Sequence, residues 1–325
     1  MTVLQVDPPN LESHEAELVD WMELVALFGP YGIARTDALT SSLKQLEEQD
    51  EEDIGEADKA LEQLRERIEN EVELREKHLG DTYPFRLDED GEELCLVDDW
   101  ASPVYSFYLI CLITSHVTAS PILNKPPTGA LLTRLRNRVF QILATLAISG
   151  LTRGPAVSVG WPRLSGESIV ALLQRAAENG AGFNVRNPPG IYTSPDEKDG
   201  GIDVLGWTKQ ATPPPTHLFF GQTASGGNWP GKPASEHARV FEANYMQDVA
   251  TGNRQYATII PFRVTDERFW NSQNQFHRAV IDRLRLPPNA KVGLELFQTG
   301  TMVDEADQVG AVVDWLNEYR TTALL

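Results

Sequence analysis

Two neighbouring stretches decide how this chain is read: KDGGIDVLGW, Lys198 to Trp207, and HLFFGQTASGGNW, His217 to Trp229. Each carries a short aliphatic and aromatic run bounded by glycine or polar residues, the composition of a half-buried strand. Strand alternation sends Ile202, Val204 and Gly206 to one face and Asp203, Leu205 and Trp207 to the other. The link between them, TKQATPPPT (Thr208–Thr216), is polar and proline-rich, which suits the connection of a hairpin. Asp203 is therefore a lone acid in an apolar run. An ionised carboxylate taken out of water is costly unless something neutralises it. A lysine or arginine partner would do so, and DGG is also an ordinary turn signal near a strand end. The third candidate is a metal ion.

Working outward, the second half of the chain alternates strands and helices. SGESIVALLQRAAEN (Ser165–Asn179) reads as a helix capped at Ser165 or Gly166, with Glu167 in its first turn. ASEHARVFEANYMQDV (Ala234–Val249) is a second helix and QYATIIPFRV (Gln255–Val264) a clear strand. A helix capped by Thr265 follows to Leu286, then a strand at KVGLELF (Lys291–Phe297) and a helix over Asp304–Arg320. This alternation predicts an α/β domain with a central mixed sheet over residues 150–325. Residues 1–149 read as a mostly helical region. Leu18, Trp21, Met22, Leu24, Val25 and Leu27 form one apolar face that ends at FGPYG. A three-and-four spacing runs from Ile54 to Leu79. A short hairpin is expected within Gly80–Trp100, and two strong helices at Pro103–Val117 and Ala130–Ser149.

The charge divides along the same line. Residues 1–100 hold 29 Asp and Glu against 8 Lys and Arg, whereas residues 101–325 hold 18 against 20. The acidic excess belongs to the first third, so the remainder is free to approach a polyanion. The acidic run Leu46–Asp58 reads as a solvated face or loop, or as a docking or DNA-mimicking surface. The two cysteines, Cys95 and Cys111, have neither CxxC spacing nor the number a disulfide framework needs. The first 21 residues lack the basic and apolar regions of a secretory leader. The longest apolar stretch, Val104–Val117, is shorter than the roughly 20 residues that span a bilayer. A cytoplasmic protein with no membrane partner is expected.

The helix glutamate Glu167, the GGIDV strand Gly200–Val204 and the FFGQTA strand Phe219–Ala224 together resemble the restriction-endonuclease-like PD-(D/E)XK superfamily, in particular its Mrr-like branch. The resemblance covers about residues 150–265. It implies a restriction-endonuclease-like α/β fold and a metal-dependent DNA endonuclease in which Glu167, Asp203 and Gln222 hold Mg²⁺ or Mn²⁺. Oxygen ligands of this kind suit those ions. It also implies a bacterial antiphage or restriction setting with partner subunits, an ATPase among them, and leaves homo-oligomers open. One departure stands out: where the family carries lysine two residues after the glutamine, this chain has Ala224. Lys232, in the following loop, is the substitute candidate. The competing expectation is a degenerate nuclease-fold subunit that binds nucleic acid or protein without cutting.

ASGGNWPGK (Ala224–Lys232) adds a nucleic-acid candidate. Its glycines would let backbone approach phosphates, with Asn228 and Lys232 as polar contacts and Trp229 as a base-stacking ring. A surface turn with a tucked-in tryptophan is the plainer alternative. The six histidines show no HExxH spacing, and His237, close to Lys232, is either near the site or a solvated helix residue. GxSxG and GxxxxGK[ST] are both absent, which removes the hydrolase-elbow and P-loop readings and leaves any ATPase to another chain.

Overall fold

A computed structural model of the chain describes residues 9–10, 12–39, 54–117, 122–160, 163, 166–191, 193 and 198–324. The chain divides into two compact units: Met1–Thr128 with Leu316–Leu325, and Gly129–Trp315.

The first unit contains α1 (Glu15–Phe28), β1 (Ile33–Arg35), α2 (Ile54–Leu79), β2 (Phe85–Leu87), β3 (Glu93–Leu96) and α3 (Pro103–His116). His14 caps α1 by accepting the Ala16 N–H, and Gly29 ends it. The α2 spacing places Leu64, Ile68 and Val72 in the core. β3 lies between β1 and β2, antiparallel to both. Most of the acidic run, residues 46–53, lies outside the described residues. One feature was not legible in the sequence. Arg75 is fully buried: its Nη1 contacts Asp20 (2.8 Å), Glu23 (2.8 Å) and the Tyr108 hydroxyl (2.9 Å), its Nε contacts Glu71 (2.7 Å), and its Nη2 donates to the Ala16 carbonyl. Tyr83 and Tyr108 donate to Glu23, and His116 Nε2 lies 2.8 Å from Asp20.

The second unit begins with α4 (Gly129–Arg134), which passes through a π-helical turn, Leu135–Val139, into α5 (Phe140–Thr152). Then come β4 (Ala156–Ser158), α6 (Ile169–Glu178), β5 (Asn184–Val185), β6 (Val204–Trp207), β7 (His217–Thr223), α7 (Ala234–Tyr245), β8 (Met246–Gln247), β9 (Asn253–Ile259), α8 (Glu267–His277), β10 (Val280–Ile281), α9 (Leu286–Gln298) and the start of α10 (Gly310–Leu324), whose residues from Leu316 on belong to the first unit. The central sheet has five strands in the order β10-β9-β7-β6-β4. β10, β9 and β7 run parallel, while β6 is antiparallel to both β7 and β4. The expected mixed α/β sheet is thus present, preceded by helices.

Both faces of the sheet are covered. Leu205, Trp207, Leu218 and Phe220 pack with Leu172, Leu173 and Ala176 of α6 and Phe241 and Tyr245 of α7. Full burial of side chains this large stabilises by about 1.5–3 kcal/mol each. On the opposite face Gly206 and Gly221 meet Ile148 of α5. That contact explains why the unit starts at Gly129 and not near residue 150: α5 is the cover of the sheet and belongs with it.

Three elements differ from expectation. Lys291–Phe297 lies inside helix α9, which starts at Leu286 with prolines in its first turn and buries Ala290, Gly293 and Leu294. Apolar residues at three-and-four spacing decide for helix over a short alternating strand. The close packing of α9 on α5 depends on glycine: a Cβ on Gly293 would run into the Leu146 carbonyl, and one on Gly150 into that of Asn289. The helix expected over Thr265–Leu286 is shorter, capped by Asp266 on the Phe269 N–H and ended at His277 so that β10 can join the sheet. Ser168 caps α6 by accepting the Ala171 N–H, so Glu167 precedes the helix and does not lie in its first turn.

Candidate functional site

β6 and β7 pair with Val204 opposite Gly221 and Leu205 opposite Phe220. The ladder ends at Val204–Gly221, and beyond it the Asp203 N–H donates to the Gly221 carbonyl at 2.9 Å, so the register does not step on to Gln222. Asp203 sits just before the first strand residue, and several donors fix it there. Its carbonyl accepts from the Val159 N–H (2.8 Å), the Gly160 N–H (2.9 Å) and Gln141 Nε2 (2.7 Å). Its Oδ2 accepts from the Thr223 N–H (2.7 Å) and hydroxyl (2.9 Å).

Burial raises the Asp203 carboxyl to about pH 6. The residue keeps some exposure overall, but the carboxyl group is packed closely enough for desolvation to outweigh the other influences. The Thr223 N–H and hydroxyl oppose the rise, Asp199 adds to it, and the Lys232 ammonium lowers it. The Lys232 carbonyl is held by the Thr258 hydroxyl at 3.1 Å.

Gln222 carries a second unmet need. Its Oε1 is buried and has no hydrogen-bond partner among the described residues. Leaving such an acceptor unpaired costs about 1–3 kcal/mol. Carboxylate and amide oxygens are the donor types that suit a hard divalent cation.

Glu167 is not shown joining them. Its Oε2 pairs with Arg175 at 3.0 Å, and Arg175 also binds Asp304 through two nitrogens at 2.7 and 3.0 Å. Among the described residues no group of three or more histidine, cysteine, aspartate or glutamate side chains forms a cation cluster. Ala224 is buried with Trp229, Ile260 and Val280. A lysine at that position would enter an apolar cluster.

The base-stacking role expected of Trp229 is overturned. The ring is 5% exposed and packs against Phe269 at 5.8 Å and His277 at 5.4 Å. Asn228 is exposed and ends the turn by accepting the Gly231 N–H. His237 lies in the first turn of α7, over Gly201. That glycine has φ +79°, and a Cβ on it would strike the imidazole.

Sequence reasoning missed four contributors. Asp199 accepts the Gly201 N–H at 2.8 Å and so builds the DGG turn that aims Asp203. Thr223 holds the carboxylate, Gln141 holds the carbonyl, and Arg163 ties Val159, Glu167 and Lys198 together through their carbonyls. The one available signal was Gln141, an amide among the apolar residues FQILATLAIS of a buried helix.

No family model matches the chain, and neither the curated proteins nor the solved structures compared with it contain a match. Among the described residues no helix is long and apolar enough to cross a membrane.

Proposed function

We propose that the Gly129–Trp315 unit is a metal-dependent DNA endonuclease, with Asp203 and Gln222 as the ligands for Mg²⁺ or Mn²⁺. Two observations support this reading: the buried, unpartnered Gln222 Oε1 on β7, and the raised Asp203 carboxyl held by the next residue of that strand, Thr223. When bound, such an ion supplies Lewis acidity toward a phosphate oxygen and an activated water. The protein's own part is positional. Thr223 fixes Oδ2 and leaves Oδ1 without a hydrogen bond among the described residues. Lys232 brings positive charge to where a phosphate would sit, taking the place of the lysine that Ala224 replaces. Glu167 enters this site only by exchanging Arg175. The setting attached to this reading comes from the resemblance: a cytoplasmic effector in a bacterial antiphage or restriction complex, with an ATPase on another chain.

The test is nicking of supercoiled plasmid in Mg²⁺ together with Mn²⁺ calorimetry. Asp203→Ala is expected to abolish nicking, and Gln222→Leu to weaken Mn²⁺ binding at least tenfold while raising the metal-free melting temperature by removing an unpaired acceptor. Undiminished nicking by Asp203→Ala would remove the proposal. Two observations favour a second reading, a nuclease-fold subunit that binds without cutting: Ala224 is buried in an apolar cluster, and Glu167 is committed to Arg175. That reading expects no Mn²⁺ heat that depends on Asp203.

A further inference from the structure

The turn that hides Trp229 brings a different aromatic surface forward. On α8, Phe269 is 38% exposed and Phe276 50% exposed. They are seven residues apart, two helical turns, so both rings lie on one face about 10 Å apart along the axis. Exposed phenylalanines scattered singly need no explanation, but two on one helix face do. Their neighbours are Arg268, Asn271, Ser272, Gln275 and Arg278, all exposed. Arg268 and Arg278 make no ion pair among the described residues. The acids of this helix, Asp266 and Glu267, are confined to its start, where Asp266 serves as the cap. Along the rest of the face the charge is positive and the polar groups are amides and a hydroxyl.

The face is tied to the candidate site by direct contacts. Phe269 packs edge-on against Trp229, three residues before Lys232. At the other end of α8, His277 Nδ1 meets the Thr258 hydroxyl at 2.7 Å, and the same hydroxyl donates to the Lys232 carbonyl. The Lys232 charge in turn acts on Asp203.

We infer that the Phe269–Phe276 face of α8 binds single-stranded DNA, stacking bases on the two rings and pairing phosphates with Arg268 and Arg278. The aromatic rings select the strand form, since only unpaired bases offer a free face for stacking; the arginines select a polyanion over an apolar protein partner. At about 3.4 Å per stacked nucleotide, the two rings are about three steps apart. The inference rests on the nuclease reading only for the purpose it gives the strand, delivery toward Lys232 and Asp203.

The experiment is fluorescence anisotropy of a labelled oligothymidylate with the full chain in EDTA, where no cleavage occurs. Phe269→Ala and Phe276→Ala should each weaken binding about tenfold. Phe269→Trp should retain it, which separates stacking from a packing defect beside Trp229; circular dichroism melting confirms that each variant is folded. Nicking by Asp203→Ala in Mg²⁺ and oligothymidylate binding by Phe276→Ala in EDTA are read separately, so loss of nicking and loss of binding report on different proposals. Unchanged affinity in Phe276→Ala overturns the inference and leaves the nuclease reading standing. Equal loss for duplex and single-stranded probes also overturns it, as does a dimer in sedimentation that either alanine variant dissociates, since the face would then join two copies.

Discussion

At the scale of single residues, Asp203 shows what sequence could and could not provide. A lone acid in GGIDV was visible as an anomaly, and alternation suggested that the two strands bring it toward the Gln222 region; the ladder itself ends at Val204–Gly221. The donors that fix Asp203 come from residues 20 and 62 positions away, Thr223 and Gln141, and no local pattern announces them. Glu167 shows the same limit: in space it pairs with Arg175, a guanidinium it shares with Asp304, and neither partner is announced by its sequence neighbourhood. The raised Asp203 carboxyl gives a prediction with a definite sign. Its folded pKa of about 6 lies above the unfolded value near 3.8. The protonated form's contribution to stability is therefore complete below about pH 4 and lost as pH rises through about 6. Above that the ionised group costs at most about 3 kcal/mol, less what its partial exposure returns. Asp203→Asn should melt with the parent at about pH 4 and above it at about pH 8, in EDTA. An equal difference at both pH values would refute the assignment of that burial to Asp203.

At the scale of elements, the α1–α2–α3 assembly turns on Arg75. Its guanidinium is the shared cation of Asp20 and Glu23 from α1 and Glu71 from α2, with Tyr108 from α3 completing the ring. Burial disfavours the charged guanidinium, yet the surrounding carboxylates, Glu23 foremost, raise its pKa above the usual range. Removing the cation would strand three carboxylates in a dry interior, the situation in which breaking a buried pair costs about 3–5 kcal/mol. Arg75→Met should lower the unfolding free energy obtained from urea denaturation by that amount, as followed by circular dichroism; a value within about 0.5 kcal/mol of the parent would mean the carboxylates do not depend on it. The helices themselves were legible, because Leu64, Ile68 and Val72 sit at helical spacing. The network was not, because on paper Arg75 is one more charge in VELREKH. The same limit explains Lys291–Phe297. KVGLELF satisfies both periodicities over a few residues, and the helix wins through the three-and-four spacing of its buried residues together with the close packing on α5 that Gly150 and Gly293 allow.

At the scale of the whole molecule, charge opposes the proposed substrate. The chain carries a net −19, and the excess is concentrated in residues 1–100, while DNA is a polyanion. The consequence is a repulsion that acts at long range and fades with salt: the Debye length is about 30 Å at 0.01 M and about 3 Å at 1 M. Deleting residues 1–100 would be a poor test, because Leu316–Leu325 belongs to the same compact unit and would lose its packing, including the edge-on contact of Tyr319 with Phe28 at 5.4 Å. Charge reversal on the solvent face of α2 is cleaner. Glu62, Glu66 and Glu73 are exposed there, and surface substitutions of this kind usually shift stability by no more than about 0.5 kcal/mol. The triple variant Glu62→Lys, Glu66→Lys, Glu73→Lys should bind a labelled oligonucleotide several-fold more tightly than the parent near 0.01 M salt. The difference should close as salt approaches about 1 M. A gain that persists at high salt would indicate new contacts made by the lysines, and no gain at low salt would mean that the acidic unit does not restrain access of DNA to the Asp203–Lys232 site.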